Sequence, residues 1–315
     1  MFAQVIFDWI NENLLSSTGF WIILFFAVCG TYVHYRGQRK QGFFRQLFDH
    51  STFMAPINML MYLFSKAPNT PYLAMNTVPE LQLVRDNWET IREEALALEQ
   101  AKKIKGSDQY NDAGFNSFFR RGWKRFYLKW YGDYHDSAVD VCPKTIEIIE
   151  QIPAIKAAMF VVLPADSFLY AHRDPYAGSL RYHLGLITPN HEKCFIDVDG
   201  ERYIWRDGED VLFDETYVHH AENKTEKDRL IFFCDVKRPM KNRLGEWLNS
   251  FFSWFILAAA ASPNEEGDKT GNINKVYGYI YQVRLLGKRI KTYNKVLYQI
   301  VKYTIFGGLI YLMFF

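Results

Sequence analysis

Cysteine is scarce in this chain, net charge is scarcer, and the glycine-rich nucleotide signatures are missing. The 315 residues hold only Cys29, Cys142, Cys194 and Cys234, widely spaced and without a CxxC or zinc-ribbon pattern. So few cysteines in so long a chain exclude a disulfide framework and read as small buried apolar residues in a reducing compartment. Lys and Arg number 37 against 35 Asp and Glu, a formal charge of +2 that gives no reason to expect a nucleic-acid partner. No P-loop, GxGxxG, GxSxG or HExxH occurs, which disfavours the common nucleotide-binding, serine-hydrolase and zincin chemistries. With 49% hydrophobic and 23% charged residues the chain is not disordered. A mean hydropathy of −0.18 argues against a bundle of many membrane spans. The length suits one or two domains with an ample core.

The apolar residues are unevenly placed. From Asn13 to Tyr35 no Lys, Arg, Asp or Glu occurs, and the centre, Phe20 to Cys29, is almost wholly apolar. A spanning helix needs about 20 such residues. Asp8 and Glu12 precede the run, while Arg36, Arg39, Lys40 and Arg45 follow it. That asymmetry places the N-terminus outside and the remainder in the cytoplasm. Basic residues after the apolar run, instead of before it, fit a cleaved signal peptide poorly.

The far end repeats the theme. Lys275 to Lys302 is basic and acid-free with interleaved tyrosines, and Tyr303 to Phe315 carries no charge. This tail predicts a membrane-associated amphipathic helix, with a second crossing from near Val296 as the alternative. Trp247 to Ala261 is a further apolar helical stretch suited to an interface or a core. Gln41 to Lys66 is rich in Phe and Met and reads as amphipathic surface near a bilayer, ended by Pro68 and Pro71. Pro79 to Lys105 has helical periodicity with a solvated charged face.

From about Ala157 the pattern becomes β. Runs 157–163, 179–188, 194–198, 202–205, 211–213 and 229–236 are β-branched or aromatic and are broken by Pro, Gly, Asn and Asp. Their connections are too short for βαβ crossovers. The expectation is a mainly β core, a double-stranded β-helix or jelly roll, with flanking α-helices and membrane-anchoring hydrophobic termini.

Inside that segment lies His172-Arg173-Asp174, followed further on by His219. One HxD and a distant His is the sequence form of a two-histidine, one-carboxylate facial triad, which leaves three positions of an octahedral Fe(II) open for a bidentate cosubstrate and O₂. Residues two apart at a strand end point to the same side, so His172 and Asp174 pair naturally, and His219 must come from a later strand. From spacing alone, isolated surface or core histidines stay open. Asp214 and Glu215 compete as the carboxylate, with Asp174 ranked first for its proximity to His172. His220 faces away if His219 faces in. Arg229, ten residues after His219, opens the last strong strand. An Arg there suits a bidentate hold on a carboxylate or a surface salt bridge equally well. Arg181 and His183 share one strand face, where His183 reads as a pocket or a core residue.

At these residues the chain resembles a known family. The runs HRDPYAGSLRYHLGLITPN, WRDGEDVLFDETYVHHAEN and RLIFFCDVKRP are similar to the aspartyl/asparaginyl β-hydroxylases, which are Fe(II)/2-oxoglutarate dioxygenases. FFRQLFDHSTFMAPIN, YNDAGFNSFF and GWKRFYLKWYG look like the bacterial lipid A 2-hydroxylase branch. The likeness runs from about residue 35 to 240. It implies that His172, Asp174 and His219 are catalytic iron ligands and that Arg229 anchors the 2-oxoglutarate carboxylate. It also implies that His183 and Arg181 line the cosubstrate pocket, with Trp123 a looser match whose other reading is a core aromatic. Animal peptidyl members have glycine at the position of Asp174, so this chain departs from them towards a complete triad.

The implied cofactors are Fe(II), 2-oxoglutarate as cosubstrate, and O₂. The implied reaction is hydroxylation of carbon 2 of a secondary acyl chain of lipid A, at a bacterial inner membrane with the catalytic domain facing the cytoplasm. A peptidyl Asp/Asn hydroxylase and a non-catalytic cupin-like metal-binding membrane module are the alternatives. The expected organisation is an N-terminal anchor with basic flank (1–45), a helical interfacial region (46–140), the β-helix domain (141–240) and a basic tail with a hydrophobic end (241–315). Membrane is an expected partner and nucleic acid is not; the pattern specifies no oligomeric state.

Overall fold

The computed structural model describes residues 17–42, 49–106, 115–257, 260–265 and 270–314, together with 15, 45, 46, 112, 267 and 268. Asp8, Glu12 and Asn13, much of the Phe-rich run at 43–48, and Tyr110, Asn111, Ala113 and Gly114 lie outside the described residues. The first helix, α1 (Thr18–Tyr35), realises the apolar run and is about 27 Å long at 1.5 Å per residue. Among the described residues it is the one helix long and apolar enough to cross a membrane. Two short helices follow: α2 (His50–Phe53), capped by the Asp49 carboxylate on the Ser51 N–H, and α3 (Ala55–Phe64). After strand β1 (Tyr72–Leu73) come α4 (Gln82–Asp86), α5 (Trp88–Gln100) and the single turn α6 (Asn116–Phe119).

The remaining strands are β2 (Lys124–Trp130), β3 (Asp133–Tyr134), β4 (Ile155–Leu163), β5 (Ser167–His172), β6 (Ser179–Ile187), β7 (Cys194–Val198), β8 (Glu201–Ile204), β9 (Asp210–Phe213), β10 (His219–Asn223) and β11 (Arg229–Lys237). Helices α7 (Asp136–Val139) and α8 (Pro143–Glu150) lie between β3 and β4. The strands form two antiparallel sheets, β1-β9-β6-β11-β4-β2-β3 and β5-β10-β7-β8. Within β4 to β11, the strands paired as β4-β11-β6-β9 and β5-β10-β7-β8 interleave along the chain, which is the order of a double-stranded β-helix.

Side-chain alternation gives the barrel two faces. On β4, Met159, Val161 and Leu163 join the cluster between the sheets, with Cys194, Ile196, Phe213 and Ile231. Ala158, Phe160 and Val162 point outward into a second cluster, where α5 and α8 cover the large sheet with Ile91, Ala95, Leu98, Ile146 and Ile149. Both faces of the large sheet are therefore buried, which is why its strands read as nearly continuous apolar runs. The same alternation sends Leu180, Tyr182 and Leu184 to the helices and turns Arg181 and His183 inward.

The sheet begins earlier than expected. β2 pairs with β4 from Lys124↔Val162 to Trp130↔Ala157, so a stretch expected to be helical and interfacial supplies a strand. Its charges disguised it: Arg125 is buried against Asp112 (3.2 Å) instead of facing solvent.

The expected basic flank of α1 is also altered. Arg36 is buried, with Nη2 2.6 Å from Asp214 Oδ2, Nη1 donating to Thr216 and Nε to Asn69. Its guanidinium lies 4.2 Å from the Tyr62 ring centre and 3.8 Å from that of Tyr217. Gly37 follows at φ +88°, and the N–H groups of Gln38 and Arg39 donate to the Asp199 carboxylate. A Cβ at Gly37 would meet Asp199 Oδ1 at 2.6 Å, so this left-handed turn requires glycine. The apolar helix is thus bolted to the barrel, not tethered by a solvated linker.

Beyond the barrel, α9 (Arg243–Phe252) exposes Leu244, Trp247 and Phe251. The tail forms α10 (Asn272–Tyr293) and α11 (Lys295–Phe314).

Candidate active site

β5 and β10 are neighbours in the small sheet, and their ladder sets His219 directly opposite His172. The register shifts after His219, so the residue sits at an irregularity where pairing ends. Asp174 follows β5 by two residues, its backbone N–H donating to the Glu215 carbonyl (2.9 Å). One ligand atom from each of His172, Asp174 and His219 can be chosen so that all lie within 4.8 Å of one another. Among the described residues this is the one such cluster of His, Cys, Asp and Glu.

Both imidazoles are oriented alike. His172 Nδ1 is 2.7 Å from the Tyr170 carbonyl and His219 Nδ1 is 3.0 Å from the Tyr217 carbonyl. Each Nδ1–H donates to a carbonyl two residues earlier, which leaves the Nε2 lone pairs free. His172 Nε2 lies 3.5 Å from Asp174 Oδ1. Burial pushes both histidines below their ordinary value, His219 to about 3, so both are neutral near pH 7. Burial pushes Asp174 up, but Arg181, His219 and His172 outweigh it and hold the carboxyl well below its usual range. Two neutral imidazoles and a carboxylate are the protonation states a divalent metal demands.

The other carboxylate candidates are occupied. Asp214 is fully buried between Arg36 and Arg238 (2.7 Å), away from the cluster. Glu215 accepts from Ser179 (2.6 Å) and pairs with Arg181. His220 lies on the opposite face of β10 and is only half-buried.

The two arginines of the pocket differ. Arg181 Nη2 is 2.8 Å from Asp174 and its Nε is 2.9 Å from Asp235, with Glu215 as a third partner. Its charge is matched by Asp174 and two further carboxylates, and its side chain lines the same cavity as His172 and His219. Burial pushes Glu215 and Asp235 upward against the pull of Arg181. Arg229 is 2% exposed and pairs with no carboxylate among the described residues. Burial depresses its pKa to about 10, and its Nε has no partner. Its guanidinium instead sits 4.1 Å from the Trp205 ring centre.

Around Arg229 further polar atoms are unpartnered: both ring nitrogens of His183 and the indole N–H of Trp205. Burial, then the charges of Arg181 and Arg229, push His183 well below its ordinary value. All three residues line one cavity with His172 and His219. Its free volume of about 40 Å³ admits an ion and water. Trp123 lines the wall, stacked on Phe115 (4.9 Å), as a packed aromatic. Phe118 sets its edge against His172 (4.9 Å). Trp205 was missed from the sequence because it follows β8 in a polar turn; its only signal was the proximity of the WRDG run to the strand end.

Residues 85–239 match the family model described as aspartyl/asparaginyl beta-hydroxylase. An ornithine lipid ester-linked acyl 2-hydroxylase of Rhizobium tropici is 34% identical over 200 residues, 62% of this chain and 69% of that protein. The aspartyl/asparaginyl beta-hydroxylase of Homo sapiens is 29% identical over 158 residues, 49% of this chain but 20% of that protein. Among solved structures, a Pseudomonas putida prolyl-4-hydroxylase aligns with a TM-score of 0.32 and 15% identity, over 49% of this chain and 88% of that one.

Proposed function

The chain belongs to the aspartyl/asparaginyl β-hydroxylase family, and from that premise we propose that it is an Fe(II)- and 2-oxoglutarate-dependent hydroxylase of a membrane lipid, acting on carbon 2 of a secondary acyl chain of lipid A. The observation that carries the reading is Arg229. A buried guanidinium with no counter-anion among the described residues, flanked by the unpartnered nitrogens of His183 and Trp205 and sharing a cavity with His172 and His219, fits a dicarboxylate bound beside a metal.

In this reading the Nε2 atoms of His172 and His219 and a carboxylate oxygen of Asp174 would hold Fe(II). With the metal, 2-oxoglutarate and O₂ supply the oxidation, in which the cosubstrate loses CO₂ to become succinate and one oxygen atom enters a C–H bond. Arg229 would hold the distal carboxylate of 2-oxoglutarate, and His183 and the Trp205 N–H would be the neighbouring polar groups available to it. Arg181 holds Asp174 in place from behind, drawing its own rigidity from Asp235 and Glu215. The backbone carbonyls of Tyr170 and Tyr217 fix the imidazole tautomers. Phe118, Phe213 and Phe233 keep the cavity dry.

The lipid substrate is supported by the acyl 2-hydroxylase relative and by an apolar helix fixed to the barrel. We place the chain at a bacterial inner membrane with the barrel in the cytoplasm; the apolar helix supports membrane association, and Arg39 and Lys40 after it support the orientation, whereas Arg36 is held by Asp214. Asp174 completes the triad and disfavours the peptidyl alternative. The test is mass spectrometry of lipid A from cells with and without the gene. A 16 Da gain on a secondary acyl chain is expected; unchanged acyl masses in a strain that makes the substrate overturn the lipid assignment.

A further inference from the structure

An apolar groove of about 590 Å³ lies outside the catalytic cavity, between α1 and the residues Gln46, Thr52 and Phe53. Its walls include Ile22, Phe26, Ala27, Thr52 and Phe53, and its volume is that of a site for a sizeable ligand. One wall is the helix that is long and apolar enough to cross a bilayer. Among the described residues its lining comes from α1 and from Gln46, Thr52 and Phe53.

The groove has a polar end. Gln46 lines it and is 4% exposed. Its Nε2 donates to Ser51 (2.8 Å) and Thr52 (2.9 Å), which fixes the amide, and its Oε1 has no partner. A buried acceptor without a donor is costly, and a hydroxyl or amide N–H satisfies it. An apolar trough ending in such an acceptor is built for an acyl chain with a polar linkage at one end.

Its position ties it to the catalytic residues. Arg45 reaches the Ala171 carbonyl (3.3 Å) and His50 Nε2 meets the Arg173 carbonyl (2.7 Å), on either side of His172. Arg173 in turn donates to the Val33 carbonyl of α1. Arg45, next to Gln46, and His50, two residues before Thr52, therefore tie this wall of the groove to the backbone on both sides of His172.

We propose that this groove binds a second acyl chain of the lipid substrate, beside the chain being hydroxylated. The inference rests on the lipid-hydroxylase reading. A lipid with several chains spans both compartments, and the groove then sets which chain reaches the cavity.

The test uses the full chain in nanodiscs with a phospholipid bearing a terminal diazirine on one acyl chain. Photolysis is expected to label residues 46–53 as well as α1. Ala27→Trp, which fills the groove, should cut labelling of 46–53 at least fivefold. Val28→Trp, on a face 60% exposed and outside the groove, should not. Ala27→Leu gives the same direction more weakly if the larger variant misfolds. With lipid A as substrate, Ala27→Trp should raise KM about tenfold or more with kcat little changed. Labelling confined to outward residues such as Val28 overturns the groove site. Groove labelling with unchanged KM makes the occupant a structural lipid and overturns its substrate role. Absence of all succinate formation from 2-oxoglutarate defeats the catalytic reading while leaving the labelling result interpretable.

Discussion

Replacing Arg229 and Arg181 by methionine, each alone, should produce opposite effects on folding. Arg229 is buried without a counter-anion among the described residues, and burial lowers its pKa from the ordinary guanidinium range to about 10. That depression is worth about 3 kcal/mol against the charged form. The sign follows directly. Below about pH 10 the side chain is protonated in both folded and unfolded chains, so folding bears the whole penalty, which is relieved as pH rises past that value. Methionine keeps much of the stem over Trp205 and loses a cation–π contact worth about 1–2 kcal/mol. Arg229→Met should therefore leave the protein without cosubstrate unchanged, or more stable by up to about 2 kcal/mol, a melting shift of roughly 0–4 °C. Arg181→Met strands Asp174, Glu215 and Asp235 without their cation and should cost about 3–5 kcal/mol.

The functional cost runs the other way for Arg229. Losing a bidentate hold on a buried carboxylate costs about 3 kcal/mol, on the order of 100-fold in half-saturation for 2-oxoglutarate. The assays are thermal melts without cosubstrate from pH 7 to 9, and succinate formation against 2-oxoglutarate concentration. A loss of 3 kcal/mol of stability in Arg229→Met would refute the reasoning, because it would mean that the guanidinium has an anionic partner within the protein. A half-saturation within threefold of the unaltered protein would refute its role as anchor.

Three further outcomes follow from the geometry. His172→Ala should abolish product and reduce Fe(II) affinity at least 100-fold while shifting the melting point of the metal-free protein by no more than a few degrees, measured by calorimetry with and without metal. Arg36→Ala should cost about 3 kcal/mol, because it removes one of the two cations on buried Asp214 and the link between α1 and the barrel; urea melts check this. Burial pushes Asp214 up but Arg238 and Arg36 hold it net below the usual carboxyl range, so its contribution is full above about pH 4 and is lost as pH falls below that. The loss of stability between pH 5 and 3 should accordingly be shallower in Asp214→Asn than in the parent, and an equal slope would place the acid sensitivity elsewhere.

The barrel was legible where burial on both faces made its strands apolar, as in β4, β6 and β11. It was not legible in β5 (SFLYAH) and β10 (HHAEN), because these strands carry the histidines and show one face to polar surroundings. Function there displaced the residues that advertise a strand. β2 was hidden by Lys124, Arg125 and Lys129, and only the burial of Arg125 against Asp112 explains its place in the sheet. The HxD…H spacing marked the cluster; alternation put Arg181 and His183 on one strand face without fixing its direction, and the family resemblance alone put these two and Arg229 in the pocket. What the spacing did not carry was charge balance. Arg181 is neutralised by carboxylates as distant in sequence as Asp235, while Arg229 has none, and pairing across such separations depends on the sheet order. Arg36 is the same lesson: read as a membrane-flanking charge, it closes on Asp214 across 178 residues.

The most direct measurement is a coupled turnover with purified full-length protein, Fe(II), 2-oxoglutarate, O₂ and lipid A. Succinate and a 16 Da heavier acyl chain should appear together in equal amounts, with both lost in Arg229→Met at low 2-oxoglutarate and partly restored when the cosubstrate is raised about 100-fold. Acyl hydroxylation that proceeds without 2-oxoglutarate, or that is indifferent to Arg229, would contradict the assignment of this pocket.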